Sequence, residues 1–270
     1  ERLRFLAIAS SNLDEFFMVR VATLMSKIEN NVSVPNVAGH RPKELLALIS
    51  EKVNELVFRQ TSALHDSILP TLKKQGIEFV IWQDLDEAER NYVARLFQDR
   101  IFPVLTPLAV DPTHPFPYIS GLSLNLAVIV KNPKTSEEYF ARVKVPPILS
   151  RFISVSPAPQ STRFLPLEDL ISIHLQELFP GMLIEDHYTF RITRNQDIDL
   201  DEDDSENLLT SLEQELARRR FGPPVRLEIE SGVGEKLRNK LCEQLNINPA
   251  NVFSLAAPLN LVDLSKIADL

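Results

Sequence analysis

The chain has 270 residues, of which 44% are hydrophobic and 24% are charged, a composition typical of a folded globular protein with one large or two modest domains. Its 29 Lys and Arg residues are outnumbered by 37 Asp and Glu residues, and the net charge of −8 argues against a protein that coats nucleic acid. No run approaches the roughly 18 consecutive apolar residues that a membrane helix needs, so no integral membrane segment is predicted.

The first helical segment is predicted from apolar residues that recur at steps of three and four between Leu13 and Ile28. Asn12 is predicted to cap the second half of this segment after a local break, with Glu15 completing a capping box. Such a break would expose polar side chains and free N–H groups, which could instead bind an anion or the edge of a purine. The spacing by itself favours the cap over ligand binding.

A second helical segment follows a predicted loop at 30–39. It begins at Pro42, because proline is well placed as a first helical residue. We expect Pro70 to kink or restart this helix and Gly76 to end it. Two helices with facing apolar stripes form a hairpin, so the sequence predicts an N-terminal helical domain over residues 1–76.

Residues 77–270 are predicted to form an α+β head domain. A strand at 77–82 is followed by a helix that begins at Asp84, with Glu87 placed as in a capping box. Further strands are predicted at 122–130, 139–145, 151–155, 188–193 and 225–229, and further helices at 166–179, 203–220 and 234–246. The irregular spacing and short turns favour a mixed or antiparallel sheet over a doubly wound one.

Several common catalytic and cofactor motifs are missing from the sequence. Gly232 and Gly234 begin a G-x-G pattern, but Leu237 stands where the third glycine of a dinucleotide-binding loop is needed. There is no nucleophile elbow and no zinc-protease helix motif. The five histidines are scattered, and no catalytic residue or metal ligand is assigned among them: His40, His65, His114, His174 and His187.

An acidic run at 197–201 has carboxylates at alternate positions, as in a calcium loop. Glu202 replaces the glycine and Leu208 replaces the glutamate that such a loop requires, which argues against calcium. We interpret the acids as the start of a helix whose other end carries the arginines at 218–220, as the helix dipole favours. Those arginines could also contact a polyanion.

A proline-rich loop at 111–117 has two alternative interpretations. It could be only a rigid surface connection, because prolines by themselves set turns. It could also hold Asp111 or His114 in a fixed position at a cleft.

The single cysteine, Cys242, cannot form an internal disulfide, which favours a reducing compartment, and we expect the cytoplasm. The chain begins at Glu1, not at Met, with an amphipathic pattern already under way, and it stops in a predicted helix at residues 267–270. We therefore expect it to be part of a longer polypeptide.

Four strings of sequence, in order along the chain, resemble the polyphosphate kinases of the first, histidine-phosphorylated family. The first string is similar to the amino-terminal helical domain of that family and the other three are similar to its head domain. They are ERLRFL running into SSNLDEFFMVRV up to residue 21, FPVLTPLAVDPTHPFPYISGLSLNLAV at 102–128, RITRNQDIDL at 191–200 and RRRFGPPVRLEIE at 218–230.

The resemblance implies an enzyme that reversibly transfers the terminal phosphate of ATP to inorganic polyphosphate, using Mg²⁺ and a phosphohistidine. In the family, the phosphorylated histidine and the main cationic tunnel lie on two further domains that this sequence does not contain. The resemblance therefore assigns no catalytic residue to this chain and places the Mg²⁺ site outside it. It also implies that the head domain supports a homo-oligomer, a dimer or a tetramer.

One site residue carries over from the family. Its nucleotide-contacting asparagine corresponds to Asn12, whose carboxamide can both donate to and accept from the adenine end of ATP or ADP. The neighbouring acids, Asp14 and Glu15, are expected to orient helices or to pair with Arg4 or Arg20.

Two alternatives belong to other functional classes. The chain could be a non-catalytic dimerisation or interaction module that binds no ligand. It could also be a stand-alone enzyme with a site at Asp111 and His114.

Overall fold

The computed structural model of the chain describes residues 1–110, 116–158, 161–196, 222–256 and 258–269. These residues form two compact units. The first unit comprises residues 1–60, 119–122 and 191–270, and the second comprises residues 61–118 and 123–190. The loop with Asp111 and His114, the acidic run at 197–202 and the predicted helix at 203–220 lie outside the described residues.

The first helical segment is one continuous run made of helix α1 (Arg2–Phe16), a π-helical turn (Phe17–Val21) and helix α2 (Ala22–Glu29). The prediction that Asn12 caps a helix is wrong, because Asn12 lies inside α1. No glycine or proline interrupts residues 1–16, so the helix has no reason to break there.

The π-helical turn takes the place of the predicted break, five residues further on. A π-helical turn displaces the regular hydrogen-bonding pattern of the helix, and its carbonyl groups can accept from elsewhere. The Met18 carbonyl accepts from the Gln196 amide at 3.0 Å. The Val19 carbonyl accepts from the Thr23 hydroxyl at 2.7 Å.

Helix α3 (Pro42–Ser62) begins at the proline that predicted it. In the first unit its apolar stripe faces the first helical segment, which confirms the predicted pairing of two apolar faces. The buried core of this contact also contains Val225 and Phe253, which lie on strands at Pro224–Glu230 and Val252–Leu255. Its members are Phe17, Val21, Ala22, Val53, Val225 and Phe253.

The helical run continues into the second unit as a π-helical turn (Ala63–Ile68) and helix α4 (Leu69–Lys74). The predicted restart at Pro70 is confirmed, since α4 begins at Leu69 with Pro70 in its first turn, directly after the π-helical turn. Gly76 ends the helix with φ +87°, a left-handed conformation that glycine adopts without a steric penalty.

A small mixed sheet in the second unit has the strand order β1-β6-β5, with β1 (Glu78–Phe79), β5 (Phe152–Ser154) and β6 (Arg163–Pro166). Strand β1 pairs parallel with β6, and β5 pairs antiparallel with β6. The predicted strand at 77–82 is therefore too long, because a 3₁₀ turn replaces its end at Trp82–Asp84.

Helix α5 (Glu87–Leu96) begins two residues later than predicted. Its capping box uses Asp86 and Glu89 in place of Asp84 and Glu87. Asp84 instead belongs to the preceding 3₁₀ turn, where its carboxylate accepts from the Ile81 amide at 3.4 Å.

The larger sheet of the second unit has the order β2-β4-β3-β7. Its strands are β2 (Pro107–Val110), β3 (Leu124–Lys131), β4 (Glu138–Lys144) and the first part of β7 (Leu183–Arg194). Strand β4 pairs antiparallel with both β2 and β3. Two short helices, α6 (Leu167–Ile173) and α7 (Leu175–Leu178), stand where one longer helix is predicted, because the chain bends at His174.

In the first unit, residues 191–194 of β7 are followed in the sheet by β8 (Pro224–Glu230) and β9 (Val252–Leu255). Strands β8 and β9 are parallel and are connected through helix α8 (Glu235–Leu245). The chain then reaches helix α9 (Ser265–Ala268), where the sequence predicts a helix.

The structure confirms the predicted class, a helical N-terminal region followed by a mixed sheet with helices. The sequence did not predict strands β2, β6 and β9. Each of them is only four residues long, and one contains a proline and another ends in one, so none carries a full alternating pattern.

We predict that Phe17→Ala destabilises the protein by about 3–5 kcal/mol, because it removes a large side chain that is 1% exposed from a closed core. Urea unfolding followed by circular dichroism measures the change. Phe5→Ala is the matched control, since Phe5 lies on the same helical run but is 69% exposed, and it should change the free energy of unfolding by no more than about 0.5 kcal/mol. Equal losses in the two variants would contradict this account of the core.

Candidate functional site

Asn12 lies on the exposed face of α1. Among the described residues its carboxamide has no hydrogen-bond partner, so it can both donate to and accept from a ligand. Ile8 and Phe16 stand one helical turn to either side, and they are 47% and 37% exposed. Asn12 is thus a polar group in an exposed apolar stripe.

Asp14, two residues further along α1, points in nearly the opposite direction and is only 4% exposed. It enters a buried charge cluster, formed by Asp14, Arg191, Arg226 and Glu228. Arg191 is on β7 and Arg226 and Glu228 are on β8, so the cluster joins α1 to two strands of the first unit.

The contacts in the buried charge cluster are close and reciprocal. The Arg191 Nη2 atom donates to Asp14 Oδ2 at 2.6 Å, and the Arg226 Nη2 atom donates to both Asp14 Oδ1 and Glu228 Oε2, the latter at 2.8 Å. The Arg191 Nε atom lies 3.2 Å from Glu228 Oε2, but it is not aligned for a hydrogen bond. Each arginine therefore touches both carboxylates.

The cluster is electrically balanced, with two carboxylates facing two guanidinium groups. Burial opposes the charge on Arg191, but the charges of Glu228 and Asp14 outweigh it and hold the pKa of Arg191 above its usual value. The Nε atoms of Arg191 and Arg226 are buried without a hydrogen-bond partner. Removing either carboxylate would leave a charge without its counter-ion.

The cluster is packed directly against the core. The Arg226 guanidinium lies 4.6 Å from the centroid of the Phe17 ring, a cation–π contact. Phe17 in turn meets Phe253 edge to face, with ring centroids 5.6 Å apart. The π-helical turn and the helix that carries Asn12 are therefore held by both charge and packing.

The same cluster reaches the C-terminal part of the first unit. Arg191 Nη1 donates to Asn260 Oδ1 at 3.3 Å, and the Asn260 amide donates to Asp263 at 2.7 Å. Near the start of α1, Arg4 forms an ion pair with Asp269. The N-terminal helix is thus tied to the last described residues of the chain.

The expected role of Asp14 in orienting helices agrees with the structure, but the expected partners are wrong. Asp14 pairs with Arg191 and Arg226, and neither Arg4 nor Arg20 takes part. The real partners are 177 and 212 residues away in the sequence, beyond the reach of any argument from helical spacing. The available signal was that three of the four strings quoted above each contribute members to the cluster.

A second arginine of the RITRNQDIDL string, Arg194 at the end of β7, donates to two backbone carbonyl groups of the first unit. The Arg194 Nε atom donates to the Ile119 carbonyl at 2.8 Å, and Nη1 donates to the Gly222 carbonyl at 2.7 Å. A Cβ atom on Gly222 would lie 2.2 Å from the Asn195 carbonyl oxygen, so only glycine fits there.

The described histidines lie on separate elements: His40 in the loop before α3, His65 in a π-helical turn, His174 between α6 and α7, and His187 on β7. His174 is stacked on Phe97 with ring centroids 4.0 Å apart, and its Nδ1 atom lies 2.7 Å from Glu177 Oε1. That hydrogen bond holds the pKa of Glu177 below its usual value. Within the part of the chain that the structure describes, no group of three or more His, Cys, Asp or Glu residues is placed to hold a metal ion, and no helix is long and apolar enough to cross a membrane.

We predict that Asp14→Asn lowers the free energy of unfolding by about 3–5 kcal/mol, because it leaves two buried guanidinium groups facing one carboxylate. Urea unfolding measures the loss. Glu15→Gln is the matched control, since it removes the same charge from the next residue, which is exposed, and should have an effect of no more than about 0.5 kcal/mol. If both variants unfold at the same urea concentration, the cluster does not stabilise the fold.

Comparison with known proteins relates this chain to one family. The curated relatives include the polyphosphate kinases of Streptomyces coelicolor, 53% identical over 267 residues, and of Mycobacterium avium, 48% identical over 279 residues. The matches cover 99% and 100% of this chain, but only 35% and 38% of those proteins. The chain therefore spans little more than a third of their length.

The crystal structure of the polyphosphate kinase from Porphyromonas gingivalis has a similar fold, with a TM-score of 0.78 and 27% sequence identity. The similarity covers 98% of this chain and 36% of that one. The family model of the polyphosphate kinase N-terminal domain matches residues 1–80, and that of the polyphosphate kinase middle domain matches residues 88–267. This chain belongs to the polyphosphate kinase family.

Proposed function

We propose that this chain is the nucleotide-contacting and assembly part of an enzyme that reversibly transfers the terminal phosphate of ATP to inorganic polyphosphate. On this proposal, the phosphohistidine and the Mg²⁺ site belong to parts of the enzyme outside these 270 residues. Its relatives carry the name polyphosphate kinase and are more than twice as long, which supports this division of labour.

The observation that carries the proposal is the position of Asn12. Its exposed carboxamide lies between the exposed side chains of Ile8 and Phe16. A purine has polar edges and flat apolar faces, so an amide next to apolar surface is chemically suited to it. The buried charge cluster fixes α1 two residues away, so Asn12 is presented on a rigid element and needs little reordering to bind.

We predict that Asn12→Ala weakens ATP binding to the chain by about tenfold, the loss expected for one or two hydrogen bonds to the adenine. Isothermal titration calorimetry measures the affinity. Ser11→Ala is the control, because Ser11 is an exposed neighbour that points in a different direction along the helix. Unchanged ATP affinity in Asn12→Ala would remove this residue from the nucleotide site.

The proposal also predicts that the chain by itself makes no polyphosphate from ATP and Mg²⁺. The reason is that the resemblance places the phosphorylated histidine on other domains. Electrophoresis of polyphosphate formed from radiolabelled ATP tests this, with the longer native polypeptide as the positive control. Synthesis by the chain alone would overturn the assignment of the catalytic histidine to another part of the enzyme.

A second candidate function, a dimerisation or interaction module without ligand binding, is favoured by a different observation. Large apolar side chains are strongly exposed in the first unit, among them Phe5 at 69% and Phe58 at 72%. Such a module would dimerise as its concentration rises, and ATP would not change its thermal stability. The nucleotide hypothesis requires an ATP-dependent rise in melting temperature.

We further propose that residues 1–76 and 77–270 are the two domains of the chain and that the enzyme works as a homo-oligomer in the cytoplasm. The family matches at 1–80 and 88–267 support a boundary near Gly76. The division by internal contacts differs, since it assigns residues 61–76 to the second unit. The helical connection at 61–76 contains the π-helical turn Ala63–Ile68. This turn interrupts the regular α-helix, which is compatible with a change of domain within the same stretch.

A further inference from the structure

Five arginines in the described residues are buried: Arg142, Arg151, Arg191, Arg194 and Arg226. Four of them have strong acceptors. Arg191 and Arg226 face two carboxylates in the buried charge cluster, and Arg194 donates to two backbone carbonyls. Arg151 donates to both carboxylate oxygens of Glu168, at 3.1 and 3.2 Å.

Arg142, on β4 in the second unit, is the exception. It is 7% exposed, and its described hydrogen bonds amount to one, from Nε to Asn125 Oδ1 at 2.8 Å. No described carboxylate pairs with it. Its terminal nitrogens are not among the fully enclosed atoms that lack a partner, so they keep contact with solvent. A buried cation without a counter-ion is costly unless something else supplies the negative charge.

The guanidinium is held in a defined orientation. The Asn125 amide nitrogen donates to both the carbonyl and the hydroxyl oxygen of Ser123, at 2.8 and 3.1 Å, so the Asn125 oxygen is the atom turned toward Arg142. In the sheet, Arg142 stands between Ala127 on β3 and Leu108 on β2, neither of which can pair with its charge. The hydrogen bond at Nε therefore fixes the orientation of the Arg142 guanidinium and does not use its two terminal nitrogen atoms.

A second cation lies on the same face of the sheet. Lys144 is two residues along β4, and side chains two apart on a strand point the same way. Burial lowers the pKa of Arg142, and burial and then the charge of Arg142 lower the pKa of Lys144. Glu138, also on this face of β4, is four residues from Arg142, about 13 Å along the strand.

We propose that Arg142 and Lys144 form a binding site for a phosphate group, which in this enzyme is presented by an inorganic polyphosphate chain. The two adjacent positive charges match the closely spaced negative charges of a phosphate chain better than the single charge of a carboxylate. The guanidinium supplies two parallel donors, and the ammonium supplies a point charge beside them. That the ligand is polyphosphate rests on the proposed function, whereas the binding of a phosphate group does not.

The test is isothermal titration of the chain with tripolyphosphate, orthophosphate and acetate in the absence of nucleotide. We expect tripolyphosphate to bind, and Arg142→Gln to weaken its binding by about tenfold or more, the loss of charge-assisted hydrogen bonds. Lys144→Gln should weaken it less, because a point charge makes no bidentate contact. Tighter binding of tripolyphosphate than of orthophosphate supports a site for a chain, and equal binding supports a site for a single phosphate group.

Three comparisons keep the result interpretable. Lys134→Gln removes one positive charge from the exposed β3–β4 turn and should leave the affinity unchanged, which excludes a general charge effect. The ATP affinity of Asn12→Ala, measured separately, tests the nucleotide site, so failure of that site and failure of this one are distinguishable. Because Arg142→Gln removes a buried charge that no carboxylate of the described residues compensates, the variant is expected to fold, and its unligated melting temperature checks this.

Three results would overturn the proposal: no binding of tripolyphosphate, equal affinity in Arg142→Gln, or acetate binding as tight as that of phosphate.

Discussion

The structure of the first unit depends on one buried interaction, the pairing of Asp14 with Arg191 and Arg226. A single carboxylate on an N-terminal helix accepts from two guanidinium groups on two different strands, and Glu228 completes the balance of charge. A buried carboxylate or guanidinium group destabilises the fold when it is unpaired, and that cost is offset only when groups of opposite charge are buried together. The interaction therefore restricts where α1 can lie much more narrowly than hydrophobic packing by itself, which tolerates small shifts.

This restriction connects the fold to the proposed nucleotide contact. On one helix, Asp14 faces inward and Asn12 faces outward, so any rotation of α1 that moved Asn12 would also separate the buried charges. The Phe17 ring, with Arg226 on one side and Phe253 at its edge, opposes the same rotation. The exposed amide is thus presented by a helix whose orientation is set from the opposite face.

Local signals in the sequence were sufficient for much of the fold. Pro42 and Gly76 marked helix ends correctly, and the apolar run of β3 and the alternating residues of β4 gave strands within one or two residues of their true bounds. The failures have physical causes. Asn12 can cap a helix, but an uninterrupted run of helix-forming residues precedes it. The capping box of α5 is formed by Asp86 and Glu89, two residues after the predicted pair Asp84 and Glu87.

The buried charges were harder to predict for another reason. The partners of Asp14 lie on strands that begin far away in the chain, and helical spacing offered nearer candidates. In the same way, Arg142 and Lys144 read as ordinary polar positions of an alternating strand, and only the burial and hydrogen bonding of Arg142 distinguish it from a solvated residue. Local pattern predicts which element forms, whereas the counter-ion of a buried charge is a property of the folded chain.

The sequence separation of the buried charge cluster has a consequence for how the protein is made. Asp14 is synthesised long before its partners, which follow 177 and 212 residues later, and the core around Phe17 also waits for Phe253. Contacts between residues so far apart form slowly, because a long loop must close first. On the ribosome, the helix that carries Asp14 therefore remains without its full set of buried partners until the chain has been made as far as Phe253, and a chaperone that shields apolar helices would find its target there during that interval.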